Sequence, residues 1–201
     1  MSRRFVLTLF PLFLLAGCTS IAIGRPEPAL TALPAIGTTT QGQPALAPKV
    51  PKELDATRLV NAPCDALTGS ELSGLDPGLA TATGTNASTP LAAACGWASP
   101  DLSQAIDISF ATFATNGLDK IYSERGDMAY WQPMVIMGYP AVAASESDNR
   151  SDGTCVVSAG VNDHLFFFAE FITFTTAQQP RSCALAAKAA GYVIDNLQGG
   201  G

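Results

Sequence analysis

Alternating hydrophobic and polar positions predict a β-strand over residues 104–113. Ile106, Ile108 and Phe110 alternate with polar side chains such as Asp107. Since successive side chains of a strand point to opposite faces, one face should be buried and the other should meet water.

A stronger signal is a pair of apolar segments, residues 154–161 and 164–174, separated by Asn162-Asp163. The short polar connection indicates a β-hairpin. The second segment has large apolar side chains at both odd and even positions, so this strand should be central in a sheet with both faces covered. Glu170 falls on the face of the even-numbered phenylalanines, so either that face meets solvent there or the carboxylate is paired.

Helical periodicity is clearest near the C-terminus. Leu185, Ala189, Val193 and Leu197 recur every fourth residue, which predicts a helix over residues 183–197 with one apolar side against the sheet.

Shorter elements are predicted before it. Thr68 and Glu71 have capping-box spacing, so short helical turns should form within residues 62–75. A short helix is expected over 117–124, extended segments over 128–131 and 134–144, and loops over 81–90 and 145–153. The sequence therefore predicts an α+β fold, an antiparallel sheet with a short N-terminal helix and a C-terminal helix packed on it.

The first eighteen residues have the layout of a bacterial lipoprotein export signal. Arg3 and Arg4 precede an apolar run, and Leu15-Ala16-Gly17 places small residues before Cys18. The apolar run has about 11 residues, whereas a membrane span needs about 20. We expect residues 1–17 to be a signal peptide and Cys18 to be the lipid-modified mature N-terminus.

Proline, alanine and threonine dominate the segment that follows. Repeated proline disfavours helix and keeps the backbone extended, so residues 18–52 are predicted to be a linker and residues 53–201 one disulfide-braced domain. The domain should stand on the extracytoplasmic face of the cell membrane, held by lipid on Cys18.

The chain is acidic, with a formal net charge of −6 that falls to −8 once Arg3 and Arg4 leave with the signal peptide. Negative charge repels phosphate backbones. We therefore expect no nucleic acid partner, and attachment to the membrane through lipid alone.

Four cysteines remain after Cys18, namely Cys64, Cys95, Cys155 and Cys183. An even set in an exported protein indicates two disulfides, with three possible connectivities. We favour Cys64 to Cys95 and Cys155 to Cys183, which join sequence neighbours. Each loop would stabilise the fold by about 3 to 4 kcal/mol in the chain-entropy model.

Several short motifs follow one another in a characteristic order. They are the lipidation motif ending at Cys18, Ala62-Pro63-Cys64-Asp65-Ala66-Leu67-Thr68 with Glu71-Leu72, Cys95-Gly96-Trp97, Gly138-Tyr139-Pro140-Ala141-Val142, Cys155-Val156-Val157 and Cys183-Ala184-Leu185-Ala186. This series resembles the actinobacterial envelope lipoproteins of domain of unknown function 3558. The resemblance implies a lipid-anchored, disulfide-bonded domain with a sheet-and-helix arrangement similar to PsbP-like proteins. It transfers no catalytic residue.

Nothing in the sequence specifies an enzyme. His164 is the single histidine, and no G-x-S-x-G nucleophile motif accompanies it. The cysteines form no C-x-x-C pair of the kind that redox or metal thiolate sites use. We expect no catalytic residue, no metal site and no cofactor.

The aromatic residues are the candidate binding feature. Phe166, Phe168, Phe171, Tyr139 and Trp131 are predicted to form a ligand or partner face. The leading hypothesis is a non-enzymatic accessory or binding module that docks to a membrane protein complex or an exported partner. The alternative is a carrier of lipid or a small apolar ligand, with a cavity between sheet and helix. The identity of the partner, the pathway and the oligomeric state stay open.

Overall fold

The structure, a computed structural model, describes residues 46–199. The predicted signal peptide, Cys18 and the predicted linker up to residue 45 lie outside the described residues. The last part of that linker, residues 46–52, has no regular secondary structure and lies against the domain. Ala47 is buried there, and its N–H donates to Asp119 Oδ1 at 2.7 Å.

One antiparallel sheet of seven strands forms the centre of the domain, in the order β1-β2-β3-β7-β6-β5-β4. The strands are β1 (Thr85–Asn86), β2 (Ala93–Ala98), β3 (Gln104–Phe110), β4 (Tyr130–Ile136), β5 (Tyr139–Ser145), β6 (Thr154–Gly160) and β7 (Phe166–Thr173). The predicted phenylalanine-rich strand is β7, and it is the central strand as expected. The α+β prediction is confirmed.

Four α-helices accompany the sheet within residues 46–199. They are α1 (Thr57–Asn61), α2 (Gly69–Leu75), α3 (Asp119–Ser123) and α4 (Ser182–Gln198). The predicted capping box begins α2: Thr68 Oγ1 accepts from the Glu71 N–H, and Glu71 Oε2 accepts from the Thr68 N–H at 2.6 Å. The helix α4 packs on β6 and β7.

The two faces of the sheet differ in what covers them. On the helix-covered face, odd-numbered side chains of β7 such as Phe167 and Phe171 are fully buried beneath α4 and the N-terminal helices. Small residues of α4, including Ala186 and Ala189, are also fully buried, because alanine lets a helix approach a sheet closely. This layer is the main hydrophobic core.

Both favoured disulfides are present, so the predicted connectivity is confirmed. Cys64, in a 3₁₀ turn over Pro63–Ala66, bonds to Cys95 of β2. Cys155 of β6 bonds to Cys183 of α4, which ties the covering helix directly to the sheet.

Several boundaries differ from the prediction. β1 and β2 were not predicted, because the sequence before Cys95 consists of small residues without alternation. Separate extended segments were expected over 128–131 and 134–144, whereas β4 runs through Pro133, because an edge strand tolerates a missing donor. The predicted two-residue hairpin is longer: strand pairing stops at Gly160 and Phe166, and Asn162 Oδ1 accepts from the His164 N–H within the loop.

Candidate functional site

The other face of the sheet is only partly covered, and we call its uncovered part the open face. It consists of Asp107 on β3, Val156 on β6, and Phe168, Glu170 and Ile172 on β7. All five residues are partly exposed. The prediction that β7 is covered on both faces is therefore wrong for this stretch.

Two carboxylates lie at the centre of the open face. Asp107 and Glu170 are directly opposite each other in the pairing of β3 with β7. Directly opposite Cβ atoms of antiparallel strands are about 4.5 to 5.5 Å apart. The register of β3 and β7 therefore makes the two carboxylates neighbours.

Their surroundings disfavour the charged forms. Burial raises the pKa of Asp107. Burial also raises the pKa of Glu170, and the negative charge of Asp107 adds to that increase. Within residues 46–199 the ion pairs join Lys49 to Asp163, Lys120 to Glu124 and Arg150 to Asp148. Neither Asp107 nor Glu170 takes part in an ion pair within the described part of the chain.

Gly96 makes room for this arrangement. It is the β2 residue opposite Asp107, and a Cβ at this position would collide with Asp107 Oδ1. Because residue 96 has no side chain, the Asp107 carboxylate can extend over β2. The Asp107 carboxylate thus fills the space that a side chain at residue 96 would take, and no side chain of that residue covers it.

Apolar side chains flank the carboxylates along β7. Phe168 and Ile172 precede and follow Glu170 on the same face, and Val156 is its opposite residue on β6. Just beyond the strand, Phe174 and Leu102 are 71% and 70% exposed. Their turns are neighbours, since the Phe174 N–H donates to the Ser103 carbonyl at 2.8 Å.

A second, smaller cluster covers the opposite end of this face. Phe166 is fully buried in it together with residues of α3 such as Tyr122. The Trp131 ring meets Tyr122 edge-to-face at 4.9 Å, and the Arg125 guanidinium lies 5.4 Å from the Trp131 ring centroid. The open face therefore adjoins this cluster at Phe168, which packs against the cluster and is partly exposed.

The structure divides the five aromatic residues singled out in the sequence. Phe166, Phe168 and Trp131 come together in the second cluster, where Phe168 and Trp131 keep partial exposure. Phe171 and Tyr139 belong to the main core on the other side of the sheet. As buried core residues, Phe166, Phe171 and Tyr139 contribute almost no accessible surface to a ligand or partner face in this conformation.

Sequence reasoning singled out Glu170 but not its partner. Asp107 was expected on a wetter face because it alternates with Ile106 and Ile108, yet its neighbour on β7 could not be inferred, since β3 and β7 are far apart in sequence. Ile172 and Val156 were not predicted as part of this face. Once the strand order is known, the alternation of side chains along β6 and β7 places both residues on the same face as Glu170.

Two surface depressions lie away from the open face. One of about 510 Å³ is lined by residues 53–57 and by Asn162 and Leu165. Another of about 660 Å³ lies between Arg58 and the C-terminal end of α4 at Leu197. Neither is lined by a phenylalanine.

His164 is exposed, with Nδ1 3.0 Å from the Thr115 carbonyl oxygen. In the part of the chain that the structure describes, no three His, Cys, Asp or Glu side chains are grouped to hold a metal ion. No helix of residues 46–199 is long and apolar enough to cross a membrane.

Comparison with known proteins identifies a family. The family model described as "Protein of unknown function (DUF3558)" matches residues 13–196. No curated protein and no solved structure matches the chain. Because the match covers most of the 201 residues, the chain belongs to this family of unknown function.

Proposed function

We propose that this chain is a lipid-anchored lipoprotein of an actinobacterial cell envelope, whose domain is a non-enzymatic docking module. Its partner is a membrane protein complex or another exported protein. The lipidation motif ending at Cys18 supports the anchor, and acyl chains on that residue would hold the domain at the extracytoplasmic face of the membrane. The similarity to PsbP-like folds stays a prediction.

The two disulfides support an extracytoplasmic location. Cys64–Cys95 and Cys155–Cys183 use all the cysteines of the described residues. Disulfides of this structural kind persist in oxidising compartments and are rare in the cytosol of ordinary bacteria.

The open face is the observation that carries the docking function. The sheet is covered by helices on one face, while the centre of the other face keeps Phe168, Ile172 and Val156 partly exposed around two acids. A solvated face of an antiparallel sheet is commonly polar. Large apolar side chains in the middle of such a face favour a surface that another protein covers.

The carrier alternative has less support. Side chains of α4 and the sheet fill the layer where a ligand cavity was expected, since Ala186, Ala189 and Val193 are fully buried. A lipid that copurifies with the protein and contacts this layer would favour the carrier over docking.

Anchoring is tested by mass spectrometry of the mature protein. We expect an acylated Cys18 at the N-terminus, and we expect Cys18→Ala to leave the protein unprocessed and unlipidated. An unmodified N-terminus upstream of residue 18 would refute the anchor.

Docking is tested by photo-crosslinking in the organism that produces the protein. A photoreactive amino acid replaces Ile172 on the open face, and the control places it at Lys188, an exposed residue of α4. We expect one reproducible envelope adduct from residue 172 and none from residue 188. Equal labelling at the two positions, or none at either, would refute docking through this face.

A further inference from the structure

We propose that the open face binds a protein segment in which a lysine or arginine is flanked by apolar side chains, with the cation placed between Asp107 and Glu170. This inference rests on the proposed docking function and names the chemistry of the partner.

Without a partner, the open face holds two like charges close together, which is unfavourable. Like charges directly opposite each other in a sheet are destabilising. Asp107 and Glu170 are such a pair, half-buried and without an ion-pair partner among residues 46–199. One cation between them would attract both carboxylates and would remove their mutual repulsion.

The shape of the open face suits a lysine or arginine side chain. Lysine and arginine present an aliphatic stem and a charged end that hydrogen-bonds carboxylates. Because Gly96 has no side chain, nothing from that residue covers the Asp107 carboxylate, which lies over β2 and can accept hydrogen bonds from the charged end. Phe168, Ile172 and Val156 offer apolar surface for the stem and for apolar neighbours in the same segment.

Charge distinguishes the possible occupants of the open face. A second copy of this chain would bring four carboxylates together at a shared open face. An anionic lipid surface would be repelled by the same pair and by the net charge of −8 expected once Arg3 and Arg4 are removed. A basic and apolar protein segment is the occupant that both the acids and the flanking apolar residues favour.

The test removes the charges and keeps the shapes. The double variant Asp107→Asn with Glu170→Gln is combined with the photoreactive residue at 172 in the full-length protein. The control double variant, Glu53→Gln with Asp65→Asn, changes net charge equally at two exposed positions outside the open face. We expect adduct formation to fall at least tenfold in the first variant and to stay unchanged in the control. The adduct peptide should contain a lysine or arginine beside apolar residues.

The outcomes separate this inference from the proposed function. An adduct that persists in the Asp107→Asn, Glu170→Gln variant overturns the cation inference and leaves docking intact. An adduct with lipid or with a second copy of the chain also overturns it. Absence of any adduct at residue 172 in the otherwise unchanged protein removes the docking function itself. Thermal unfolding of each variant checks that it remains folded, so that a decrease in adduct formation is not caused by unfolding.

A charge reversal gives an independent check. Replacement of the captured lysine or arginine by glutamate should abolish the adduct, and Glu170→Lys should restore it at least in part. Failure of the reversal to weaken the adduct would overturn the inference, since the cation would then contribute nothing to recognition.

Discussion

The helix-covered face and the open face of the sheet are formed by the same strands but differ in how far their side chains are buried. Along β7, Phe167 and Phe171 are fully buried under α4, while Phe168 and Glu170 on the other face stay partly exposed. One face has its contacts completed within the chain. The other keeps two adjacent acids without an ion-pair partner among the described residues, in a partly apolar setting, which costs stability.

This contrast separates stability from recognition in the molecule. Residues of the helix-covered face should control unfolding, because their substitution opens cavities in a packed core. Residues of the open face should control binding and have little effect on unfolding, since solvent already reaches them.

The largest effect is expected for Phe171→Ala. The fully buried ring packs in the main core, so its loss should lower the free energy of unfolding by about 3 to 5 kcal/mol. Phe168→Ala, three residues away on the open face, should cost about 1 to 2 kcal/mol, because the ring is only partly buried and meets Phe166 edge-to-face. Urea unfolding measures both. Equal losses would contradict the division between faces.

Removal of the Cys155–Cys183 disulfide should come next. Replacement of both cysteines by alanine releases a loop with a sequence separation of 28 residues, and we expect a loss of about 3 to 4 kcal/mol from the gain in unfolded-state entropy. Removal of Cys64–Cys95, with a separation of 31, is the matched comparison. Nearly equal losses would indicate that both disulfides stabilise the fold mainly by loop closure in the unfolded chain. A much larger loss without Cys155–Cys183 would indicate that packing of α4 on the sheet depends on that disulfide.

The sequence predicted the helix-covered face better than the open one. Spacing of Leu185, Ala189 and Val193 placed α4 on the sheet, and the neighbouring cysteines were paired correctly. The helix follows from a periodic pattern, and the pairing follows from joining each cysteine to the next one along the chain. The placement of Cys18 stays a prediction, because it lies outside the described residues.

The open face could not be predicted because it depends on strand order. Asp107 and Glu170 meet only because β3 pairs with β7 in a specific register, and a shift of one residue would move both to the opposite face. The uncovered stretch also depends on where α3 and its cluster end. Neither the strand register nor the extent of this cluster follows from a local sequence pattern. The sequence could therefore identify Glu170 as unusual without identifying Asp107 as its neighbour.

Loss of the α2 cap should have a smaller effect. Thr68→Ala removes the side chain that accepts from the Glu71 N–H, and we expect a loss of about 1 kcal/mol. Glu71 also accepts from Asn196 Nδ2 at 3.1 Å, so the cap supports the contact between α2 and α4 that covers the main core. Urea unfolding measures the loss, and Thr112→Ala at an exposed position is the control. A loss as small as in the control would show that the cap adds nothing to this layer.

The smallest effect, and the only gain in stability, is expected for Glu170→Gln. Burial, with the charge of Asp107, raises the pKa of Glu170 in the folded protein, so the folded state holds this proton more tightly than the unfolded state. That contribution to stability is complete below the ordinary glutamate pKa of about 4.3 and is lost as pH rises through the raised value. At pH 7 the variant should therefore be more stable than the unsubstituted protein by a few tenths to about 1 kcal/mol, a range reduced by solvent screening.

Urea unfolding from pH 4 to pH 8 measures this difference, which should shrink toward pH 4 as Glu170 becomes protonated. Glu53→Gln, at an exposed position outside the open face, is the control and should show no such trend. A variant that is less stable at pH 7 would mean that the Glu170 carboxylate already has a favourable partner within the chain. A variant that is more stable and yet loses its envelope adduct would show that the open face retains an unfavourable charge because a partner requires it.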